Sequence, residues 1–402
     1  MKKVAFLVEP NFKKLHYGVR NYFSTIKEIL SEKFEVEYIT YIIFESEVLW
    51  YKLNFQDIET GEKKEDKYIK IDKNIKKFNY FKYLRFEKKL VKQKDIFDCY
   101  FQFLGTSLKN QNYDICIITN PWLLKRNCKI EAKKIYGFVY DFIANLFVLT
   151  KEEKPFDWSN KHRIGYEVYN KICDCIIADS EIICKQYKKI YPEVSDKVFY
   201  LKPFPPIYYK NVKYTTEKKE NSIILAAPFD SRKGLYNMPE LINSIASKLD
   251  YLYIFGKPRC TIDEFNDFFS GLNVKKIVYY PSVSNEKLIE LYKKCKFLLF
   301  PSLEEGLGLP LIEAQICGCR VVTTNKKPMN TLGVNGYLYL NINDDAANKK
   351  DKKNKQTEKK FNEIEIKEIK EILLDNDFDF KNLSKLSRER FSFQKILDFF
   401  SE

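Results

Sequence analysis

The sequence predicts an α/β protein made of two doubly wound domains that face a cleft. Apolar, strand-like runs alternate with helical patterns along most of the chain, which is typical of parallel sheets assembled from β–α–β units. Residues 201–206 (LKPFPP) place three prolines between the two series, and such a stretch permits no regular element. The 402 residues are enough for two domains with substantial cores.

The expected strands and helices alternate in both halves of the chain. In the first half we expect strands at 4–9, 35–42, 114–119, 135–141 and 175–180, with helices clearest at 21–34 and 163–173. In the second half we expect strands at 222–227, 251–256, 276–280, 297–300, 320–324 and 337–342. The resulting domains are an N-terminal domain (1–203), a linker (204–221), a C-terminal domain (222–375) and a terminal helical segment (376–402).

Composition excludes several functional classes. No apolar run approaches the roughly 18 residues that a membrane-spanning helix needs. The ten cysteines are scattered without the spacing of zinc ligands, and only two histidines are present, so we expect no metal site. Such cysteines favour a reducing, cytoplasmic environment, in which buried thiols behave as small apolar side chains.

The net charge of +14 is partly concentrated in residues 61–94, which hold 13 lysines and arginines against 5 acidic residues. Aromatic residues are interleaved with these charges, a combination that suits the anionic inner face of a membrane or a nucleic acid. The aromatic residues show no clean 3.6-residue period, and they are equally consistent with a domain core in a lysine-rich protein. Both interpretations stay open.

The most informative segment joins an apolar run, residues 297–302, to a glycine-rich loop and then to a helix. Gly306 and Gly308 allow the loop backbone to approach a ligand closely, because no Cβ blocks the way. Pro310 suits the first helical position. The unpaired amides of the helix start, together with the helix dipole, favour an anionic or hydroxyl-rich ligand.

Two carboxylates flank this transition, Glu305 in the loop and Glu313 in what we expect to be the first helical turn. Each carboxylate can accept two hydrogen bonds from a sugar diol. Two such groups around a helix end that binds phosphate suggest a sugar nucleotide. A glutamate near a helix start can also be a simple dipole partner, so the spacing alone does not decide.

The neighbouring elements of the sequence decide between a ligand site and a simple dipole partner. Residues 283–324 (VSNEKLIELYKKCKFLLFPSLEEGLGLPLIEAQICGCRVVTT) resemble the donor-binding half of retaining glycosyltransferases of sequence family 4, or glycosyl transferases group 1. The resemblance implies the GT-B fold of two Rossmann-like domains, with a final helix, around residues 388–397, that packs back on the N-terminal domain. It also implies that Glu305 contacts the donor sugar and Glu313 the ribose hydroxyls. The other donor-side residues that we assign are Gly306, Leu307, Gly308, Leu309, Gly256 and Tyr280.

The loop after the first strand of the C-terminal domain carries Arg232, Lys233 and Gly234. Two cations beside a glycine at a strand end suit a diphosphate. In the similar family a lysine at this position contacts the donor diphosphate, which implies that role for Lys233. Many members also carry an arginine where this chain has Pro228, and Arg232 is the substitute that we expect.

Four residues of the N-terminal half are expected on the acceptor or sugar side. Gly18 and Arg20 lie after the first strand, where the similar family has a glycine-rich loop. Tyr140 and Asp141 end a strand where relatives often show His-Asp. Tyr140 therefore replaces a histidine that contacts the donor sugar in the family, while Asp141 matches.

The family resemblance, together with the composition, implies a bacterial, cytoplasmic, retaining glycosyltransferase that needs neither a metal nor any other cofactor. Its substrate would be a UDP- or GDP-linked hexose, with Lys233, Arg232 and Glu305 as catalytic residues. The acceptor would be a glycan or lipid-linked hydroxyl in surface polysaccharide synthesis, with residues 61–94 as a candidate peripheral contact to the inner membrane face. A protein acceptor is the alternative. A nucleic-acid-binding protein on a vestigial fold is disfavoured because both glutamates and the lysine are present.

Overall fold

Contacts within the computed structural model divide the chain into two units. Unit 1 comprises Met1–Glu62, Val91–Ile207 and Ser392–Glu402, and unit 2 comprises Lys63–Leu90 and Tyr208–Phe391. The structure describes residues 1–9, 17–44, 47–53, 67–71, 106–108, 111–123, 129–142, 157–214, 219–226, 233–234, 238–256, 261–342 and 361–401.

Unit 1 contains an eight-stranded sheet with the order β5-β3-β2-β1-β6-β7-β8-β9. Its strands are β1 (Lys3–Leu7), β2 (Glu35–Phe44), β3 (Glu47–Leu53), β5 (Thr106–Leu108), β6 (Tyr113–Ile118), β7 (Ala132–Val139), β8 (Cys175–Ala178) and β9 (Val198–Tyr200). Its helices are α1 (Tyr17–Leu30), α2 (Asp157–Ile172), α3 (Glu181–Ile190) and α10 (Gln394–Ser401).

The parallel centre of this sheet forms where the sequence is most continuously apolar. Val4, Ala5, Phe6 and Leu7 of β1 are fully buried, and β1 pairs in parallel with both β2 and β6. Burial of both faces explains why these strands read as apolar runs rather than as alternating ones. All five predicted strands of this half are present. The antiparallel strands β3 and β5 extend the sheet beyond β2 and were not predicted.

Unit 2 contains a seven-stranded sheet with the order β15-β14-β13-β10-β11-β12-β4. Its strands are β4 (Lys67–Ile71), β10 (Glu220–Ala226), β11 (Leu252–Phe255), β12 (Ile277–Ser282), β13 (Cys295–Phe300), β14 (Arg320–Thr324) and β15 (Leu338–Leu340). Its helices are α4 (Met238–Ile245), α5 (Ile262–Ser270), α6 (Asn285–Lys294), α7 (Leu309–Ile316), α8 (Glu363–Leu374) and α9 (Phe380–Arg390).

Six strands of unit 2 are parallel neighbours, as the alternating pattern predicts. The seventh, β4, comes from the N-terminal half of the chain and pairs antiparallel with β12. The prediction assigned residues 1–203 to one domain, whereas this strand joins the edge of the other unit's sheet. Apart from the backbone of β4, the basic segment 61–94 lies outside the described residues.

The C-terminal segment is shared between the two units. Residues 388–397, which we expected to form one final helix, instead contain the end of α9 and the start of α10. Helix α9 belongs to unit 2, where the hydroxyl of Ser384 donates a hydrogen bond to the carbonyl of Ile316 over 2.6 Å. Only α10 packs in unit 1, with the Phe400 ring 5.4 Å from that of Tyr136. Within the described residues, no helix is both long and apolar enough to cross a membrane.

Candidate active site

The predicted strand–loop–helix transition is present in unit 2, between β13 and α7. Gly308 precedes α7 with φ +93°, a left-handed conformation that favours glycine. Pro310 is the second helical residue rather than the first, because Leu309 already begins the helix. The loop is fastened at its start by Thr324, whose hydroxyl donates to the Ser302 carbonyl over 2.6 Å. Glycine geometry and this anchor fix the direction in which α7 begins.

The residues along this transition differ in their exposure to solvent. Gly306 and Leu309 are partly buried, whereas Leu307 and Gly308 are buried. At the start of α7, Pro310 has no amide hydrogen, and the Leu311 amide donates to the Gly308 carbonyl over 3.0 Å. The Leu309 amide and those of the preceding loop lie at the positive end of the helix dipole, where an anionic ligand is stabilised.

Glu313 is the fifth residue of α7 and therefore lies in the second turn, not in the first turn as predicted. Its side chain is buried, and its Oε2 accepts a hydrogen bond from the Tyr209 hydroxyl at 3.3 Å. Burial raises the pKa of this carboxyl from 4.5 to about 7, and the Tyr209 hydrogen bond partly opposes the rise. Glu313 is thus held in place and is close to its titration point at neutral pH.

Lys233 and Glu305 meet directly, although 72 residues separate them along the chain. The Lys233 ammonium donates to Oε1 of Glu305, and both side chains are largely buried. The loop after β10 supplies the lysine and the loop after β13 supplies the glutamate. These strands are parallel neighbours, so their carboxyl ends share one edge of the sheet.

Gly234 explains how closely these two loops approach. It adopts φ +64°, and a Cβ at this position would lie 2.1 Å from the carbonyl oxygen of Pro301. No side chain fits in that space. Glycine at 234 therefore allows the Lys233 loop to lie against the end of β13, next to Glu305.

Gly256 directly follows β11, and Tyr280 lies within the neighbouring strand β12, two residues before its end. Gly256 has φ +134° and donates its amide to the Tyr280 carbonyl over 3.0 Å. Tyr280 is buried among the apolar residues of unit 2. Both residues therefore lie toward the carboxyl ends of adjacent parallel strands in the sheet that carries Lys233 and Glu305. Arg232, the other predicted phosphate ligand, lies outside the described residues.

The four residues predicted on the acceptor or sugar side belong to unit 1. Gly18 and Arg20 lie in the first turn of α1 and are partly exposed. Tyr140 follows β7, and its hydroxyl donates to the carbonyl of Thr119. Asp141 is partly exposed, and its backbone carbonyl accepts a hydrogen bond from the Tyr166 hydroxyl at 3.0 Å. Tyr140 and Asp141 thus lie at the carboxyl end of the parallel strands.

Sequence reasoning missed three polar residues that the structure places at strand ends or beside the site. Tyr209, the partner of Glu313, was assigned to the linker, where a tyrosine gives no distinctive signal. Asn120 and Asp179 follow β6 and β8 in unit 1, and both are buried. The position directly after a buried parallel strand is the signal that could have identified them.

Most of unit 2 is similar to a known protein family. Residues 211–367 match the family model described as glycosyl transferases group 1. This range contains the described candidate residues of unit 2, except for Tyr209 just before its start.

Two curated bacterial proteins are similar over more than half of the chain. The O-antigen chain mannosyltransferase RfbU of Salmonella typhimurium is 33% identical over 241 residues, which is 58% of this chain and 62% of that protein. An uncharacterised 41.2 kDa protein in the cps region of Klebsiella pneumoniae is 27% identical over 237 residues, 55% of this chain and 61% of that protein. The matches therefore span less than two thirds of either relative.

Solved structures show the same fold at low sequence identity. A glycosyltransferase from Rickettsia africae gives a TM-score of 0.57 at 16% identity, covering 100% of this chain and 97% of that one. WaaG, a glycosyltransferase involved in lipopolysaccharide biosynthesis, gives a TM-score of 0.52 at 13% identity, covering 96% of this chain and 95% of that one. These likenesses concern the fold alone, and they confirm the prediction that the chain has the GT-B fold.

Proposed function

We propose that the protein is a retaining glycosyltransferase that moves a hexose from a nucleotide sugar to a hydroxyl of a glycan or lipid-linked acceptor. The observation that carries this proposal is the ion pair between Lys233 and Glu305, with Glu313 in the second turn of α7. Lys233 comes from the loop after β10, whereas Glu305 and Glu313 lie on either side of the start of α7, which the sequence marks as a ligand site. The family match over residues 211–367 supports the same assignment.

The donor would bind with its diphosphate at the start of α7 and its ribose at Glu313. A diphosphate is a stronger partner for Lys233 than one carboxylate, so donor binding would draw the ammonium away from Glu305. Glu305 would then be free to accept hydrogen bonds from hydroxyls of the hexose. On this account the Lys233–Glu305 ion pair keeps both charges partnered until the donor arrives.

The chemistry would be a front-face displacement. The bond from the anomeric carbon to the diphosphate oxygen breaks, and the bond to the acceptor oxygen forms on the same face of the sugar. The acceptor proton passes to the departing diphosphate oxygen. Lys233, Arg232 and the amides around Gly306–Leu309 would stabilise the charge on the leaving group without a metal ion. Positioning of the two substrates supplies the rest of the rate.

The similar proteins suggest where to begin the substrate search. The name of the Salmonella protein specifies mannose transfer to O-antigen. A Campylobacter jejuni protein that is 26% identical over 159 residues is named for transfer of N-acetylgalactosamine to a diphospho-undecaprenol acceptor. We therefore favour a bacterial surface polysaccharide as the product, with mannose as the first sugar to test.

The test is a transfer assay with UDP- and GDP-linked hexoses and a lipid extract of the source bacterium as the acceptor pool. Proton NMR of the product gives the anomeric configuration, which we expect to match that of the donor. Chelator in the buffer should leave the rate unchanged. Absence of both transfer and donor hydrolysis with every donor would contradict the proposal, and an inverted product would contradict the retaining mechanism.

A further inference from the structure

The Glu313 carboxyl depends on one other residue for its orientation. Among the described residues, Tyr209 alone hydrogen-bonds this carboxyl, through the 3.3 Å contact from the tyrosine hydroxyl to Oε2. A glutamate side chain has several rotatable bonds, and fixing them costs conformational entropy unless a partner holds the carboxyl. The bond to Oε2 leaves Oε1 for hydroxyl groups of a ligand, in a direction that depends on where Tyr209 lies.

Tyr209 lies in a short 3₁₀ helix (Ile207–Tyr209) that precedes β10. Its side chain is 1% exposed and belongs to the same apolar cluster as Leu311 and Ile312 of α7. Burial raises the pKa of Tyr209 well above its usual range, and the nearby Glu313 adds to the rise. The hydroxyl therefore keeps its proton at neutral pH and acts as the donor of this hydrogen bond.

Arg388 of α9 joins the segment of Tyr209 to the end of α7. Its guanidinium donates to the carbonyls of Tyr209 and Ile316, each over 3.4 Å, and also to the carbonyl of Val212. Ile316 is the last residue of α7 and lies three positions after Glu313. One side chain thus binds both the segment that carries the tyrosine and the helix that carries the glutamate.

Arginine suits this position better than lysine does. A guanidinium is planar and holds its donors in a fixed fork, so bonds to three carbonyls fix two segments relative to each other, whereas an ammonium is a single point donor. The positive charge also lies at the carboxyl end of α7, where the helix dipole favours a cation. The three hydrogen bonds of Arg388 all go to backbone carbonyls, so they hold the course of the chain rather than another charged side chain.

We propose that Arg388 is a positioning residue for the ribose of the donor, because it holds Tyr209 against α7 and Tyr209 in turn orients Glu313. This inference rests on the proposed function, which places the ribose at Glu313. Arg388 itself does not touch the nucleotide. Its removal should therefore weaken recognition of the ribose hydroxyls and spare recognition of the base and the diphosphate, a selectivity that a purely structural group would not have.

The test compares a nucleoside diphosphate with its 2′,3′-dideoxy analogue, which lacks the ribose hydroxyls but keeps the base and the phosphates. The full-length protein is titrated calorimetrically with GDP, UDP and both analogues. For the base that binds, the dissociation constant of the analogue divided by that of the nucleotide measures ribose recognition.

Two variants interrupt the contacts at different points. Arg388→Met keeps a long side chain but removes the donors, and Tyr209→Phe removes only the hydroxyl. Arg390→Met is the matched control, because Arg390 also lies on α9 and donates to backbone carbonyls, those of Thr331 and Gly333. Arg388→Lys, which keeps the charge without the fork, takes the place of Arg388→Met if that variant does not fold.

We expect Arg388→Met and Tyr209→Phe to lower the ratio about 5- to 10-fold, the loss expected for one hydrogen bond. Affinity for the dideoxy analogue should stay within about twofold of the wild type, and Arg390→Met should keep the wild-type ratio. In a Glu313→Gln background, Arg388→Met should have little further effect on the ratio, because both changes act on the same contact.

Three results would overturn the inference. One is a wild-type ribose preference that Arg388→Met and Tyr209→Phe both retain. Another is an equal loss of affinity for nucleotide and analogue in these variants, which would make Arg388 a structural group. The third is a wild type that binds the nucleotide without preferring the ribose hydroxyls. Failure of the proposed function is visible separately, as a wild type that binds neither GDP nor UDP.

Discussion

At the scale of single residues, the charged side chains of the candidate site have partners within the protein. Lys233 and Glu305 form an ion pair, and the buried Glu313 accepts a hydrogen bond from the Tyr209 hydroxyl. None of these arrangements follows from the local sequence, since each partner comes from a distant segment. Sequence reasoning identified the two glutamates and the lysine because each has a characteristic local pattern, but Tyr209 has none.

Glu305→Gln tests the catalytic role of the loop carboxylate. Under the proposed function, replacement removes one charged hydrogen bond to the donor sugar; it also leaves Lys233 without its carboxylate partner. We expect turnover of the nucleotide sugar to fall about 10- to 150-fold, or roughly 1.5–3 kcal/mol. The measurement is the rate of nucleoside diphosphate release.

Glu304→Gln is the matched control, because Glu304 is the exposed neighbour of Glu305 in the same loop. It should retain the wild-type rate. Activity of Glu305→Gln within about twofold of the wild type would exclude the role assigned to Glu305.

Glu313 makes stability depend on pH. Its pKa in the folded protein is about 7, above the unfolded value of 4.5, so the folded state holds the proton more tightly. Unit 2 should therefore lose about 3 kcal/mol of unfolding free energy as the pH rises from about 4.5 through 7. Urea unfolding at pH 5 and pH 8 measures this difference.

Glu313→Gln removes the titrating group but keeps the Tyr209 hydrogen bond within reach. The fall in stability between pH 5 and pH 8 should be smaller in this variant than in the wild type by about that 3 kcal/mol. An identical pH dependence in both proteins would show that Glu313 ionises without a penalty.

At the scale of elements, the site depends on glycines that let loops approach one another. Sequence reasoning used Gly306 and Gly308 because they precede a helix, and it placed Gly234 beside a phosphate. It could not show that Gly234 lies against the Pro301 carbonyl, because that contact joins two loop residues that are 67 positions apart in the sequence. The parallel strands could be predicted because both faces of their sheets are buried, so that their sequences are continuously apolar. The antiparallel strands at the edges lack that apolar signal.

Gly234→Ala should damage both stability and donor binding. The new Cβ meets the Pro301 carbonyl and the left-handed φ strains any residue other than glycine. We expect a loss of about 2 kcal/mol or more, with weaker binding of nucleotide sugar because the Lys233 loop is displaced. Thermal unfolding and donor titration measure the two effects.

Gly271→Ala provides the comparison. Gly271 ends α5 with a negative φ of −75°, and a Cβ there would have its nearest neighbour at 3.3 Å. This variant should bind donor normally and lose little stability. If Gly234→Ala behaved in the same way, the close packing of the two loops would be unimportant for the site.

At the scale of the whole molecule, the chain passes between its two units more than once. Strand β4 joins the sheet of unit 2, and α10 returns to unit 1 after α9 has packed in unit 2. The alternating pattern predicted the two α/β series, and the family resemblance predicted a final helix that returns to the N-terminal domain, as α10 does. The place of β4 in the sheet of unit 2 was not predicted, because a short edge strand carries no local signal of the sheet that it joins.

Phe400→Ala tests the return of α10. Phe400 is 1% exposed and packs on Tyr136 of β7, so its removal should destabilise unit 1 by about 3 kcal/mol. Hydrogen exchange should show the added opening in β6 and β7 and not in β13. Phe399→Ala, which truncates the partly exposed neighbouring ring, should have a much smaller effect.

The central claim is that the start of α7 binds a nucleotide sugar through Lys233 and Glu313. The most direct measurement is a thermal-shift titration of the full-length protein with UDP- and GDP-linked hexoses and the free diphosphates, without added metal. The account predicts a saturable rise in melting temperature for one base, lost in Lys233→Ala and Glu313→Ala but kept in Glu304→Ala. No rise for any nucleotide, or a rise that survives in both site variants, would contradict it.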